Sequence, residues 1–245
     1  MEITFLGTNG WFDTNTGNTT CVLAETKNEY IIFDAGGGLY RAGEFVKGDK
    51  PVYLLLTHLH LDHILGLQCL VLFNWPGGLN ILVADNMKAD LEDFMRPPFM
   101  SKPENLKTKT QIIALSQAAN LPFKLEWKEL EHLVPTVGYR LESEGKTIVF
   151  GLDSGVCDNL KELAKDADLF ITECSFLPGK APLNIHLNPQ QAAQIALEAR
   201  VKTEALIHFK ADDYTDLAQR DEALLKAREI FARAIAPYDG EKLII

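Results

Sequence analysis

Three of the six histidines in this 245-residue chain lie within residues 57–63, which read Thr-His-Leu-His-Leu-Asp-His. The apolar run just before them, residues 52–56, predicts a buried β-strand. Side chains alternate along an extended chain, so His58 and His60 point the same way, and the aspartate and the last histidine continue into the turn beyond. Imidazole and carboxylate groups are ligands that suit zinc, and also manganese or iron. This strand end therefore predicts a metal site.

The elements that must position these residues follow a mixed pattern. Strand-like runs occupy residues 3–6, 20–24 and 30–33, and residues 138–142 and 146–151 predict a hairpin. Helices are predicted at residues 64–73, from Asn86 to Pro97, at 158–165 with Asp158 as its cap, from Asn188-Pro189, and at 216–234, with strands at 168–172 and 205–208. Hairpins and alternating units over this length predict an α/β fold in a single domain, residues 1–245, with helices covering sheet faces.

Composition and charge restrict the class of protein. A hydrophobic content of 47% and a charged content of 24% are typical of a globular protein. The net charge of −10 repels nucleic-acid phosphates, so stable nucleic-acid binding is not expected. The four cysteines form no C-x-x-C pair, no charged-then-apolar leader opens the chain, and no apolar run is long enough to span a bilayer. These features predict a cytoplasmic protein with buried thiols and no membrane attachment.

Residues 57–63 resemble the H-x-H-x-D-H signature of the metallo-β-lactamase superfamily. Residues 5–8 (Phe-Leu-Gly-Thr) and 33–36 (Phe-Asp-Ala-Gly) are similar to its ribonuclease Z-type phosphodiesterase branch. Three later motifs of the family have counterparts in the same order, at residues 131–135 (Glu-His-Leu-Val-Pro), 150–155 (Phe-Gly-Leu-Asp-Ser-Gly) and 206–209 (Leu-Ile-His-Phe). The resemblance covers essentially the whole chain. It implies a four-layer αββα sandwich and a metal-dependent hydrolase.

The resemblance also implies a ligand set for two divalent metal ions, zinc in the first place, with manganese or iron as alternatives. One ion would be held by His58, His60 and His132, and the other by Asp62, His63 and His208, with Asp153 and a hydroxide bridging the two. Attack by that hydroxide would cleave the substrate. Such a centre keeps a net positive charge, which favours a small anionic substrate and above all a phosphodiester. Relatives are often dimers, and a homodimer is the corresponding expectation here.

Three further residues resemble family positions beside the metals. Asp34 is similar to a group that orients a ligating histidine through its free ring nitrogen, although it fits a helix or turn cap equally well. Glu173 resembles another position near the metals. His186 is not required as a ligand, which leaves it the role of proton donor to the leaving oxygen; the alternative is a surface histidine near a helix start. We therefore expect His186 and Asp62 to be catalytic residues.

Departures from the family pattern narrow the substrate. In full-length ribonuclease Z an arm that grips tRNA is inserted between the third histidine and the bridging aspartate, whereas His132 and Asp153 are only 21 positions apart here. The last motif usually continues with serine and then arginine, but this chain has Lys210-Ala211-Asp212-Asp213. Both changes favour a phosphodiester smaller than tRNA.

Residues 95–123 form the least regular stretch, with prolines and large apolar side chains. We expect this stretch to wall the binding site, with covering a sheet edge as the alternative. Phe99, or Trp11 and Phe12 in the first loop, would then stack on a base or aryl group.

Two other functions fit the same motifs. The seven ligands also occur in glyoxalase-type relatives, so thioester or lactam hydrolysis is the main alternative. A non-hydrolytic dimetal protein, such as an oxygen-reducing diiron module, is the third reading. Residues 5–8 and His186 favour the phosphodiesterase, and His60 stands where the diiron branch tends to have glutamate.

Overall fold

A computed structural model describes all 245 residues. The strands are β1 (Glu2–Gly7), β2 (Asn9–Gly10), β3 (Cys21–Glu25), β4 (Tyr30–Phe33), β5 (Val52–Leu55), β6 (Leu79–Val83), β7 (Thr110–Ala114), β8 (Lys124–Glu129), β9 (Val137–Ser143), β10 (Lys146–Gly151), β11 (Leu169–Glu173), β12 (Thr203–Ile207), β13 (Phe209–Lys210), β14 (Ala234–Ile235) and β15 (Lys242–Ile244). The α-helices are α1 (Ala42–Phe45), α2 (Leu61–Ile64), α3 (Lys88–Phe94), α4 (Asp158–Ala164), α5 (Pro189–Glu198) and α6 (Leu217–Arg228). Short 3₁₀ helices cover Gly37–Arg41, Leu65–Leu72, Asp85–Met87, Pro103–Asn105 and Leu115–Gln117. None of the helices has the length and apolar character needed to cross a membrane.

Two mixed sheets form the centre of the molecule. The first has the order β15-β1-β3-β4-β5-β6-β7, and the second has the order β14-β12-β11-β10-β9-β8. In the first sheet β4, β5, β6 and β7 run parallel to one another, and in the second β10, β11, β12 and β14 do so. A two-stranded parallel pair, β2 with β13, joins the first loop to the segment after β12. Parallel strands bring their carboxyl ends to one edge, which is where ligand sites form in α/β sheets.

Apolar side chains hold the layers together. Phe33 of β4 stacks on Phe150 of β10 with ring centroids 4.9 Å apart, so the two sheets pack face to face. Helices α4, α5 and α6 cover the other face of the second sheet, where Leu163, Ile195 and Ala223 are buried. The 3₁₀ helices Gly37–Arg41 and Leu65–Leu72, with α3, cover the first sheet. The predicted four-layer αββα sandwich is confirmed.

Both apolar cores draw on the same strand. Ile148 and Phe150 of β10 enter the core between the sheets, and Val149 enters the core beneath the helices. Alternate side chains of one strand thus belong to different layers. We propose on this ground that residues 1–245 form one domain.

Several predicted elements lie where the local signals place them. Strand β4 has the predicted bounds, and β9 and β10 form the predicted hairpin through Glu144 and Gly145, whose φ angles are 54° and 73°. Asn188 starts α5 with a capping box, because its side chain accepts the Gln191 N–H and the Gln191 side chain accepts the Asn188 N–H.

Three helix predictions were wrong in detail. Residues 65–72 form a 3₁₀ helix rather than an α-helix. The last helix was predicted to extend to residue 234 but ends at Arg228. The N-cap of α4 is Cys157, and Asp158 is the first helical residue. Tertiary contacts override local preference at each of these places.

Seven strands were not predicted: β2, β6, β7, β8, β13, β14 and β15. Four of them, β7, β8, β14 and β15, are edge strands of the two main sheets, and an edge strand has few buried positions from which to recognise it. In β8 the sequence Lys-Leu-Glu-Trp-Lys-Glu leaves no residue fully buried. Polar side chains are tolerated there because only one neighbour must be paired.

Glu204 is a buried carboxyl group in β12 that serves no part of the site described below. Neither of its side-chain oxygens has a hydrogen-bond partner, and the residue is fully buried. Burial raises the pKa of Glu204 to about 8. The folded protein therefore holds a proton that the unfolded chain releases above about pH 4.5. The contribution of the protonated Glu204 carboxyl group to stability is complete below about pH 4.5 and is lost as the pH rises through about 8.

We expect Glu204→Gln to gain stability relative to the wild type as the pH rises from 5 to 8. The gain reaches at most about 1.4 kcal/mol for each pH unit, because one pKa unit corresponds to that free energy. Urea denaturation at both pH values measures the difference. The exposed Glu222→Gln is the matched control and should run parallel to the wild type. Parallel curves for Glu204→Gln as well would show that this carboxyl group ionises normally.

Candidate metal centre

The predicted ligands meet where strands of the two sheets end. His58, His60 and α2 follow β5, Asp153 follows β10, and His208 follows β12. The backbones of Asp153 and His208 adopt the left-handed conformation, with φ angles of 52° and 54°. This conformation is uncommon for residues other than glycine, and it turns each side chain back toward the centre between the sheets.

A first group of side chains gathers around His60. Its Nδ1 atom lies 2.9 Å from His58 Nε2 and 3.4 Å from His132 Nε2. Asp153 Oδ2 is 3.7 Å from His58 Nε2 and 3.7 Å from His132 Nε2. Three ring nitrogens and one carboxylate oxygen therefore converge on one point.

A second group gathers on the other side of Asp153. His63 Nε2 lies 3.1 Å from His208 Nε2, and His208 Nε2 lies 3.3 Å from Asp62 Oδ2. Asp153 Oδ1 is 3.2 Å from His63 Nε2 and 3.1 Å from His208 Nε2. The two oxygens of Asp153 thus face the two groups, one oxygen toward each.

The outward ring nitrogen of four histidines is held by an oxygen atom. The pairs are His58 Nδ1 with Thr57 Oγ1 at 3.0 Å, His63 Nδ1 with Asp34 Oδ2 at 2.7 Å, His132 Nδ1 with the Ile185 carbonyl oxygen at 3.1 Å, and His208 Nδ1 with Ser175 Oγ at 2.9 Å. Such contacts fix the ring orientation and direct the other nitrogen inward. Asp34 therefore orients a histidine, as its resemblance to the family suggested. Thr57 and Ser175 were not predicted, and only the position of Thr57 directly before His58 offered a signal.

The side-chain nitrogens and oxygens that converge here are chemically suited to bind metal ions. Nε2 of His63 and Nε2 of His208 face each other at 3.1 Å, although both rings already use their other nitrogen. Asp153 Oδ1 is buried and has no hydrogen-bond partner. Lone pairs brought together in this way repel one another unless a cation lies between them, and buried charges in proteins are paired or coordinate metals. Imidazole nitrogens with carboxylate oxygens form a suitable donor set for a divalent transition metal.

The pKa shifts of these histidines and aspartates also indicate that a positive charge is favoured at this place. Burial lowers the pKa of His58 well below its ordinary value, and His63 lowers it further. Burial opposes ionisation of Asp153, but His208 and His63 outweigh it and hold the pKa of Asp153 well below its usual range. Burial also opposes protonation of His63, yet Asp153, Asp62 and Asp34 together raise its pKa. Positive charge is therefore favoured among these carboxylates.

His186 lies beside the two groups and pairs with Glu173. Its Nδ1 donates to Glu173 Oε2 at 2.9 Å, and its ring centroid is 5.1 Å from that of His132. Burial opposes protonation of His186, but Glu173 outweighs it and raises the pKa of His186 to about 9. One ring nitrogen of His186 also lies within 4.8 Å of the ligand atoms of Asp153 and His208. His186 thus lies next to the proposed metal ligands, and Glu173 lies on the side of His186 that faces away from the cavity.

The first loop touches the centre through backbone atoms that sequence reasoning did not identify. The Trp11 N–H donates to Asp62 Oδ2 at 2.7 Å. Gly10 lies flat against His208, and a Cβ atom there would come within 2.5 Å of that ring. The buried Arg220 of α6 holds the loop by donating to Thr8 Oγ1 at 3.0 Å. A glycine is required at position 10 because His208 leaves no room for a side chain.

A cavity of about 560 Å³ opens above these groups. Its lining includes His60, Asp62, His132, Asp153 and His186. Trp11 and Phe12 of the first loop also line the cavity. No residue from 95–123 does, so the prediction that this stretch walls the site was wrong: β7 lies within it and extends the far edge of the first sheet. Phe99 instead stacks on Phe94 with ring centroids 6.4 Å apart.

Together the αββα sandwich and the buried His/Asp cluster define a metal-dependent hydrolase. A family model described as the beta-lactamase superfamily domain matches residues 29–209. The chain belongs to the beta-lactamase superfamily.

Relatives of known name match over nearly the whole chain. Ribonuclease Z of Rippkaea orientalis is 26% identical, covering 98% of this chain and 96% of that protein. The crystal structure of the metallo-beta-lactamase fold protein YhfI from Bacillus subtilis has a TM-score of 0.81 at 24% identity, covering 99% of this chain and 98% of YhfI. Human tRNase Z, short form, has a TM-score of 0.75 at 21% identity, covering 100% of this chain and 99% of its own. These two structures support the fold.

Proposed function

We propose that the protein hydrolyses small phosphodiesters with the help of two divalent metal ions, zinc in the first place. The observation that carries this proposal is His186, which lines the same cavity as members of both ligand groups, belongs to neither proposed ligand set, and is held from behind by the buried Glu173. A proton donor beside a metal centre suits a bond whose leaving oxygen must be protonated. The name of the ribonuclease Z relative, which denotes cleavage of RNA, supports the same bond type.

The geometry of the two ligand groups supports the ligand set that the family resemblance implies. His58, His60 and His132 would bind one ion, Asp62, His63 and His208 the other, and Asp153 both. Bound divalent ions supply Lewis acidity, which activates water and neutralises phosphate oxygens. The chain's own contribution is to keep these ligands in place, through Thr57, Ser175 and the other outward partners given above.

Asp62 and His186 are the two residues proposed to act on the substrate side of the centre. Burial opposes ionisation of Asp62, but His63 and His208 outweigh it and hold the pKa of Asp62 below its usual range, so its carboxylate stays charged. The Trp11 N–H fixes that carboxylate in the cavity lining. His186 would donate a proton from Nε2 to the leaving oxygen while Glu173 holds Nδ1. The acid is thereby oriented before the substrate arrives.

The absence of an insertion favours a small substrate over tRNA. The segment between His132 and Asp153 is the hairpin of β9 and β10, which turns in two residues. Lys210 at the cavity is paired with Asp212 and Asp213. An acidic edge of this kind disfavours the phosphates of a long RNA.

Metal analysis of the isolated protein, followed by a substrate panel, tests the proposal. We expect hydrolysis of bis(p-nitrophenyl) phosphate that is lost with a chelator and restored by zinc, manganese or iron. The panel includes a phosphomonoester, a thioester, a lactam and a precursor tRNA, all of which should react poorly. Activity confined to thioesters or lactams would overturn the phosphodiesterase proposal, and efficient tRNA trimming at physiological salt would overturn the limit on substrate size.

A further inference from the structure

The mouth of the cavity is surrounded by exposed apolar side chains. Trp11, Leu61, Leu133 and Leu183 all line the cavity, and their exposed fractions are 51%, 62%, 71% and 59%. Soluble proteins usually scatter such residues singly, and a contiguous group of them marks a binding surface. Leu133 belongs to the loop that carries His132, and Leu183 to the loop that leads into His186. The apolar rim therefore lies directly above the proposed reaction centre.

The cavity offers little positive charge to a second anionic group. Lys210 is the one lysine or arginine in its lining. Its Nζ atom lies 3.0 Å from Asp212 Oδ2 and 3.0 Å from Asp213 Oδ2, and it stands 5.0 Å above the Trp11 ring. Burial opposes protonation of Lys210, but these two carboxylates outweigh it and raise its pKa, so its charge is present but already neutralised. Lys180, the next cation, lines an adjoining cavity of about 520 Å³ instead.

The polar and apolar parts of the cavity are separated by depth. Asp153 and His186 are buried, and the His132 side chain is 1% exposed, whereas the leucines of the rim are mostly exposed. A phosphodiester bound with its phosphate at the buried groups must direct one ester substituent toward the rim. Burying an uncharged ring against Trp11 and the leucines is favourable, whereas a charged substituent would lose hydration without gaining a free cation.

We infer that the second ester group of the substrate, the one that is not released, is a flat, uncharged, apolar ring that binds against Trp11, Leu133 and Leu183. This inference rests on the proposed phosphodiesterase function and adds a substrate class to it. A diester with an aromatic group on one side should thus be preferred over one with a small alkyl group. A ring that carries a carboxylate should lose that preference.

Three diesters with the same p-nitrophenolate leaving group test the inference. Their second ester groups are phenyl, methyl and 4-carboxyphenyl, and each kcat/KM is divided by the rate of hydroxide-catalysed hydrolysis of the same diester, which removes intrinsic reactivity. We expect a phenyl-to-methyl ratio of about tenfold or more, which corresponds to about 1.4 kcal/mol or more from stacking of the second ring. The 4-carboxyphenyl diester should react no better than the methyl diester.

Variants of the rim locate the preference. Leu133→Ser and Leu183→Ser, combined in one protein, should reduce the phenyl-to-methyl ratio several-fold. Leu72→Ser is the matched control, because Leu72 is 69% exposed and lines a separate cavity, so its ratio should equal that of the wild type.

The possible failures of the two proposals are distinguishable. Hydrolysis of the methyl and phenyl diesters at equal corrected rates would overturn the inference and leave the phosphodiesterase proposal standing. The inference alone would also be overturned if the phenyl-to-methyl ratio were unchanged in the Leu133→Ser, Leu183→Ser protein. A preference for the 4-carboxyphenyl diester would have the same consequence. Hydrolysis of none of the three diesters would overturn both.

Discussion

Asp153→Ala is expected to lose bound metal and hydrolytic activity together. One oxygen of Asp153 faces His58 and His132, and the other faces His63 and His208. Removing this side chain takes a ligand from both groups at once. Substitution of residues that merely support a ligand costs about 10- to 100-fold, so loss of a shared ligand should exceed about 100-fold in metal affinity and in kcat/KM.

Elemental analysis and calorimetric metal titration measure the loss. Asp153→Asn keeps the shape and removes the charge, so it should bind metal more weakly than the wild type. The exposed Asp90→Ala on α3 controls for the loss of a carboxylate elsewhere. An Asp153→Ala protein that still binds two ions with wild-type affinity would contradict the bridging role.

His186→Ala is expected to retain metal while losing activity on substrates with a poor leaving group. Asp153 and the six other proposed ligands would satisfy both groups without His186, so metal content should not change. A general acid contributes on the order of 10²- to 10⁴-fold where the leaving oxygen needs a proton. The variant should therefore fail on diesters with an alkoxide or ribose leaving group. It should keep much of its rate on a p-nitrophenyl diester, whose leaving group departs as a stable anion.

His186→Gln separates proton donation from positioning. Glutamine retains an N–H that can donate to Glu173 but has no acidic proton to give. A general acid predicts that both variants show the same dependence on the leaving group. Equal losses on all leaving groups would indicate phosphate positioning, loss of metal would make His186 a ligand, and no loss would leave it without a role in the reaction.

Local sequence determined the parts of the site that depend on neighbouring residues. Residues 57–63 carry four of the proposed ligands because the end of β5 and the first turn of α2 place them within a few ångströms of one another. The hairpin turn at Glu144 and Gly145 and the helix start at Asn188 were likewise predicted, since both depend on hydrogen bonds and backbone conformations within a few residues. The family resemblance and the fold were readable from motifs in their order along the chain, and both are confirmed.

The tertiary structure alone decided what surrounds that segment. His63 and His208 are 145 positions apart in sequence, and their contact depends on how the two sheets pack. The same packing brings Ser175 to His208 and Trp11 to Asp62, contacts with no sequence signal of their own, and it pairs Glu173 with His186, two residues that the family resemblance had placed only near the metals. Strand order also placed β7, within residues 95–123, at the far edge of the first sheet, and no residue of that stretch lines the cavity that it was predicted to wall. Local pattern specifies which face of an element is apolar, whereas the partner of that face depends on free energy summed over the whole packed core.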